Sequence, residues 1–132
     1  SVFGNNDGYG IIHTFYEMLK KNSDVELFSL GKIHRNLVII DDVIEALCLV
    51  QSNHEKLKQF DIYNISSNNS LTTLEISQIV KDFLKSDAKI ICSKKKYMFD
   101  WDVFVDNSKF KQKFKIEGSS LKNAIVKYLK EK

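Results

Sequence analysis

Apolar residues recur at helical spacing in several stretches of the chain. The first stripe consists of Ile12, Phe15, Tyr16 and Leu19, at positions i, i+3, i+4 and i+7. Similar stripes are Val43, Ala46, Leu47 and Val50; Ile76, Ile79, Val80, Phe83 and Leu84; and Leu121, Ala124, Ile125, Tyr128 and Leu129. A shorter one carries Phe110 and Phe114. The pattern predicts five helices, each burying one face.

Short apolar runs separate these stripes and predict strands at 25–30, 35–40, 62–65 and 89–92. The run from Leu37 to Ile40 is continuous rather than alternating, which predicts a strand covered on both faces. Strands that alternate with helices favour an α/β architecture. At 132 residues the chain fits one domain, and we treat 1–132 as a single unit.

Two helix starts carry capping signals. Thr72 and Glu75 have the Thr-x-x-Glu spacing of a capping box. Asp41 is placed to cap the second helix through its side-chain oxygen. Asp41 and Asp42 are adjacent on a helix start and point in different directions, so we assign them to capping and to the helix dipole rather than to a metal or a shared proton.

The composition, 43% hydrophobic and 28% charged, is ordinary for a soluble globular protein. The apolar runs are too short to cross a bilayer, and no signal peptide is evident, so we expect a cytoplasmic protein without a membrane partner. Cys48 and Cys92 lie in apolar stretches, which predicts buried, reduced thiols. The three histidines are scattered, so no metal site is predicted.

The net charge of +3 is mild, but Arg35 is the only arginine among 20 basic residues. Its rigid donor fork suits phosphate or carboxylate, although an ordinary surface ion pair is the simpler explanation of one arginine alone. Lysines 94–96, followed by Tyr97, Phe99 and Trp101, resemble a nucleic-acid stacking surface in composition. A basic loop that leads into a buried aromatic strand has the same residue pattern, and we expect no nucleic-acid partner.

Four short segments, taken in order, form the most informative pattern. They read VFG at 2–4, LFSLGKIHRNLVIIDDV at 27–43, YNIS at 63–66 and DNSK at 106–109. They resemble, in the same order, the V-Y-G, I-Y-G-D-G-x-Q-x-R-D-F-V-Y-V-D-D-V, Y-N-I-G and D-x-S-K segments of extended short-chain dehydrogenase/reductases. That family includes the NAD-dependent sugar-nucleotide epimerases and dehydratases.

The resemblance implies the C-terminal part of a Rossmann-type NAD(P)-binding fold with its substrate-binding subdomain. By the same comparison, the family's glycine-rich turn and its catalytic Tyr-x-x-x-Lys lie upstream of this chain. We therefore assign no catalytic residue here. We expect the parent enzyme to use NAD or NADP, and this chain alone to be inactive and not to retain the cofactor.

Family roles then pass to a few residues. Arg35 matches the arginine that contacts the substrate's diphosphate, and Leu27 and Phe28 match the strand that passes the nucleotide base. Asn64 lies near the same pocket by this comparison, but a buried asparagine that satisfies backbone groups explains it at least as well.

Two further residues, Val2 and Phe3, match a segment close to the nicotinamide end of the cofactor. Other positions depart from the family pattern. Asn36 replaces an acidic residue, and Trp101 occupies the region where a second diphosphate-binding arginine is common. A second basic residue to contact the diphosphate must then be Lys95 or Lys96.

The expected function is to hold a nucleoside-diphosphate sugar in an NAD-dependent epimerase or dehydratase, with polysaccharide biosynthesis as the expected setting. The alternative is a non-catalytic module that kept the fold and its sugar-nucleotide or interaction surface but lost the reaction. Because the helix after Asp41 packs on the family's missing sheet, we also expect exposed apolar surface and self-association.

Overall fold

Five helices and six short strands account for the regular structure within residues 1–4, 8–96 and 100–132, which the computed structural model describes. The helices are α1 (Ile11–Lys20), α2 (Ile40–Ser52), α3 (Thr73–Leu84), α4 (Ser108–Phe114) and α5 (Leu121–Lys130). The strands are β1 (Val2–Phe3), β2 (Val25–Leu27), β3 (His34–Arg35), β4 (Val38–Ile39), β5 (Leu71–Thr72) and β6 (Ile90–Cys92). Short 3₁₀ turns cover Ser29–Gly31 and His54–Lys56.

Helix α3 is the centre of the core and packs against both α1 and α5. Its Ile76 and Val80 are fully buried, as are Leu121 and Ile125 of α5. Burying an aliphatic side chain of this size contributes roughly 2 kcal/mol. All five apolar residues predicted to face inwards from α5 are buried.

The strands form three pairs rather than one sheet in the described part of the chain. β1 is parallel to β4 and β2 is parallel to β6, whereas β3 and β5 are antiparallel. In the third pair, His34 lies opposite Thr72 and Arg35 opposite Leu71. The α/β class predicted from the sequence is confirmed.

The capping box at the start of α3 is also confirmed. Thr72 Oγ1 accepts a hydrogen bond from the Glu75 backbone N–H at 3.1 Å, and the Thr72 N–H donates to Glu75 Oε2 at 2.7 Å. The bond from the Thr72 N–H, followed by one from the Thr72 hydroxyl to the same carboxylate oxygen, lowers the pKa of the Glu75 carboxyl. Because Thr72 belongs to both β5 and the cap, the end of α3 is tied directly to β3.

The strand predictions are less accurate than the helix predictions. The predicted strand 35–40 divides into β3 and β4, which pair with different partners. The predicted strand 25–30 ends at Leu27, and a 3₁₀ turn begins two residues later, at Ser29. The prediction of a strand at 62–65 is wrong: those residues are irregular. Short strands are fixed by their pairing partners, which the local pattern does not reveal.

The cap assigned to Asp41 is wrong. Helix α2 begins at Ile40 with Ile39 as its N-cap, and Asp41 instead forms an ion pair with Lys127 of α5 at 2.6 Å. The buried thiols are also wrong, because Cys48 and Cys92 are both exposed. Among the described residues, no helix has the length and apolar character needed to span a bilayer.

Helix α4 is held to the loop before residue 63 by polar and aromatic contacts. Lys109 forms an ion pair with Asp61 and donates to the Ile62 carbonyl at 2.9 Å. Its ammonium also lies 4.9 Å from the centroid of the Tyr63 ring, which packs edge-on against Phe110. Hydrogen bonds, first that from Lys109 and then that from the Ile62 backbone N–H, lower the pKa of the Asp61 carboxyl from 3.8 to about 2.

This shift predicts a pH-dependent contribution to stability. A carboxyl whose pKa is lower in the folded state stabilises the fold above its unfolded value of 3.8, and that stabilisation is lost as the pH falls towards about 2. We expect Lys109→Ala to be less stable than the wild type at neutral pH, with the difference shrinking over this acid range. Urea unfolding at a series of pH values measures it.

Lys122→Ala is the matched control, because Lys122 is an exposed lysine of α5. It removes the same charge and should leave the acid dependence of the wild type unchanged. Suppose that Lys109→Ala lowers the free energy of unfolding equally at neutral pH and at the acid limit. Lys109 would then stabilise the fold through the Tyr63 ring rather than through the Asp61 carboxylate.

Candidate functional site

A cavity of about 860 Å³ lies between β1, the start of α1, β2, β3 and the segment around residue 101. Its volume falls within the range of about 300–1,000 Å³ found for small-molecule sites. The described residues that line it are Ser1, Val2, Phe3, Tyr9, Gly10, Ile11, Ile12, His13, Thr14, Phe15, Met18, Val25, Glu26, Leu27, Phe28, Ser29, Ile33, Arg35, Asn36, Leu37, Thr73, Trp101 and Val103.

Arg35 is the one lysine or arginine among the described residues that line this cavity. It leaves β3 beside Trp101, and its Nη1 donates to the Trp101 carbonyl at 3.4 Å. A guanidinium carries five N–H donors in a fixed fork, so this bond is compatible with an anion held by the same group. The predicted substrate residue therefore lies at the cavity wall.

The wall next to Arg35 is largely apolar. Leu27 is buried, and Phe28 is 38% exposed where the chain leaves β2 and enters its 3₁₀ turn. Both residues line the cavity. A partly exposed aromatic ring at this wall suits a flat heterocycle.

The start of α1 forms the opposite part of the lining, and the sequence analysis did not identify it. Gly10 is the N-cap with φ 91°, a left-handed conformation that favours glycine, and the first turn reads Ile-Ile-His-Thr. The first N–H groups of a helix have no partner within the helix and attract anions. A glycine directly before an apolar stripe was the available signal.

A buried polar side chain adjoins Arg35. Asn36 is 7% exposed and lines the cavity, and its Oδ1 has no hydrogen-bond partner within the described part of the chain. A buried acceptor without a partner is costly unless water or a ligand donates to it. Asn36 is also the residue that replaces an acidic one in the family pattern described above.

Asn64 is not among the residues that line the cavity. It is exposed, and its side-chain amide donates to the Asp106 carbonyl at 3.1 Å. The asparagine thus satisfies a backbone group, but the prediction that it is buried is wrong.

Val2 and Phe3, assigned to the cofactor end, both border the cavity but differ in environment. Val2 is 48% exposed, whereas Phe3 is 7% exposed. The Phe3 ring packs edge-on against Tyr128 at 5.7 Å between centroids. Val2 is therefore the side chain of the two that is open to a ligand.

A second cationic clamp is not formed by the lysines suggested for it. Lys95 forms an ion pair with Glu26 at 3.0 Å, and this hydrogen bond lowers the pKa of the Glu26 carboxyl. Lysines 94–96 are exposed. Tyr97 and Phe99, which completed the aromatic pattern beside them, lie outside the described residues.

The Tyr-x-x-x-Lys spacing does occur in this chain, at Tyr16 with Lys20 and at Tyr128 with Lys132. In each pair the ammonium lies 5.1 Å from the centroid of a buried tyrosine ring, in a cation–π arrangement. Neither tyrosine lines the cavity as described. Both pairs lie at the C-terminal end of a helix, α1 or α5, and we assign neither pair to catalysis.

Within the described residues, no group of three or more histidine, cysteine, aspartate or glutamate side chains is placed to hold a metal ion. The cavity supplies an arginine fork, a helix N-terminus, an unpartnered amide oxygen and an apolar wall. Such a set has the chemistry that suits an anion attached to a flat apolar group.

Comparisons of the sequence with protein-family models and with curated proteins find no match. Solved structures with the same fold do exist. UDP-glucose 4-epimerase from Thermotoga maritima, with UDP-glucose, is 22% identical, with a TM-score of 0.79 over 99% of this chain and 44% of that chain. The Bordetella bronchiseptica enzyme WbmG, in complex with NAD and UDP, is 18% identical, with a TM-score of 0.80 over 99% of this chain and 41% of that chain.

A third structure is the GDP-D-glycero-L-gluco-heptose synthase from Campylobacter jejuni, solved in the presence of NADPH. It is 14% identical, with a TM-score of 0.76 over 99% of this chain and 51% of that one. The chain thus spans between about two fifths and one half of these three structures. Its fold is that of the C-terminal part of Rossmann-type epimerase structures, as predicted.

Proposed function

We propose that this chain is the part of an NAD- or NADP-dependent sugar-nucleotide epimerase, dehydratase or reductase that holds the nucleoside-diphosphate sugar. Membership of the extended short-chain dehydrogenase/reductase family is part of the proposal. It is supported by the four ordered segments and by neighbours whose names include UDP-glucose, UDP, NAD and NADPH.

One observation carries the proposal. Of the 20 basic residues in the chain, Arg35 alone is found among the described residues that line the cavity. A diphosphate needs concentrated donors, and a bidentate guanidinium supplies two at once. Phe28 borders the same space and provides the apolar surface for a base.

The start of α1 adds to this anion site. The N–H groups after Gly10 and the positive end of the helix dipole both favour a phosphate group. The fork of Arg35 and this helix end both line the cavity, so the cavity offers anion donors from two elements. Remote binding energy of this kind orients a sugar for reaction elsewhere in the site.

Cofactor contact in the complete protein is proposed for Val2. Its side chain is about half exposed at the edge of the cavity, and an apolar side chain suits the face of a nicotinamide ring. Phe3 is committed to the core and supports Val2 through β1. When bound, NAD or NADP supplies hydride transfer, and this chain contributes the position of the sugar.

The first test of the proposal is Arg35→Ala. We expect it to weaken UDP-glucose binding by about 2 kcal/mol, roughly thirtyfold, because a charged hydrogen-bonding partner is lost. Arg35→Lys keeps the charge but not the fork, and its affinity for UDP-glucose should lie between those of the wild type and Arg35→Ala. Isothermal titration calorimetry measures all three affinities.

Lys32→Ala is the matched control. Lys32 lies three residues before Arg35 and is exposed, but it does not line the cavity. Its affinity for UDP-glucose should equal that of the wild type. Equal affinities for Arg35→Ala and the wild type, or a wild type that binds neither UDP-glucose nor GDP-mannose, would refute the proposal.

We also propose that the chain self-associates through one face of α2. Ile40, Ile44 and Leu47 lie at successive turns of this helix and are 37%, 51% and 64% exposed. Cys48 is exposed beside them. An aliphatic stripe of this kind is covered most simply by the same stripe of a second copy.

Leu47→Lys tests this surface. We expect it to shift the chain towards the monomer in sedimentation velocity, because a charge in an apolar interface has no partner there. Phe60→Lys is the control, since Phe60 is 80% exposed but outside the stripe. A wild type that stays monomeric at high concentration would contradict the proposed self-association.

A further inference from the structure

The segment at 100–104 is fastened to β3 at two neighbouring residues. The His34 backbone N–H donates to Asp102 Oδ1 at 2.8 Å, and the Val103 N–H donates to the His34 carbonyl at 3.1 Å. On the next residue, Arg35 Nη1 donates to the Trp101 carbonyl at 3.4 Å. The segment that borders the cavity is therefore attached to the strand that carries the arginine.

The His34 side chain adds a contact that depends on its charge. Its Nδ1 lies 3.3 Å from Asp102 Oδ1, and its ring lies 5.4 Å from the ring of Phe104. The hydrogen bonds from His34, mainly that of its backbone N–H, lower the pKa of the Asp102 carboxyl. The carboxylate is consequently negative throughout the range in which a histidine changes charge.

The other charged groups around His34 come from two elements. Glu75 of α3 is close enough that the charge of His34 helps to lower the pKa of its carboxyl. Arg35 follows His34 on β3, and its charge acts on Asp102 in the same way. Two carboxylates thus face His34 from different elements, and one guanidinium adjoins it, so a protonated ring is accommodated.

We propose that His34 is a positioning residue for the cavity: in its protonated form it holds Asp102 more firmly and so fixes the Trp101 carbonyl against Arg35. The link to ligand binding rests on the function proposed above for Arg35. The attachment itself does not, because it is built from contacts between β3 and the segment at 100–104 alone.

The consequence is a site that is better ordered in mild acid than in mild base. With the imidazole protonated, the pair of His34 with Asp102 has two opposite charges, and with the imidazole neutral it has only one. Since both side chains are partly exposed, the effect has the modest size of a surface ion pair.

Trp101 makes the attachment directly measurable, because it is the only tryptophan in the chain and is 55% exposed. We expect its fluorescence emission to shift as the pH falls from about 8 to about 5, the range in which a histidine changes charge. The shift should be absent in His34→Gln. In Asp102→Asn, which retains an acceptor oxygen for the His34 N–H, it should also be absent.

The other two histidines are the controls. His13→Gln and His54→Gln should titrate like the wild type, although His13 borders the cavity and His54 does not. Circular dichroism confirms that each variant is folded, and Asp102→Asn carries the test if His34→Gln is not. A transition that persists in both His34→Gln and Asp102→Asn, or that disappears in His13→Gln, would overturn the proposal.

Calorimetry with UDP-glucose separates this inference from the proposed function. The diphosphate of this probe has no group that titrates near neutrality, so a pH effect belongs to the protein. We expect wild-type affinity to be about threefold higher at about pH 6 than at about pH 8, and that of His34→Gln to be equal at both. A Trp101 transition without any UDP-glucose binding would support the attachment while refuting the function, whereas pH-dependent binding that survives in His34→Gln would refute the positioning role.

Discussion

The burial of α3 between α1 and α5 is the constraint on which the candidate site depends. Ile76 and Val80 are fully buried in that packing, and they fix the helix in place. The capping box then fixes the residue at its N-terminus, Thr72, which is also the β5 residue opposite His34. The position of Arg35, one residue further along β3, follows from the core through this chain of contacts.

The positions of the helices could be predicted because their information is local, although Leu47, predicted to face inwards from α2, is 64% exposed. A stripe at i, i+3, i+4 and i+7 needs one partner surface of any kind, and the stripe from Leu121 to Leu129 is buried as its spacing required. The capping box at Thr72 and Glu75 is equally local, since both of its bonds span three residues. Arg35 was found by composition and by the resemblance, and the cavity contains it.

The errors concern contacts between distant parts of the chain. Asp41 is drawn to Lys127 on α5, so it does not cap α2. The apolar run at 35–40 divides because its first part pairs with β5 and its last part with β1. Asn36, buried between these two pairings, gives no periodic signal. The α1 end of the cavity was missed for the same reason, because only folding brings Gly10 to the space beside Arg35.

At the cavity, the placement of individual charged groups matters more for ligand binding than the net charge of the chain. The chain has an excess of basic residues, yet within the described lining Arg35 is the only lysine or arginine. Asp102 lies close enough to this arginine to be affected by its charge, and the charge of Glu26 is offset by its ion pair with Lys95. The charge of Arg35 is therefore partly offset by a neighbouring carboxylate. In the binding mode proposed above, the phosphates of a ligand meet the fork of Arg35 and the start of α1, while its base covers the wall at Phe28. A nucleoside diphosphate has both parts, and inorganic phosphate has only one.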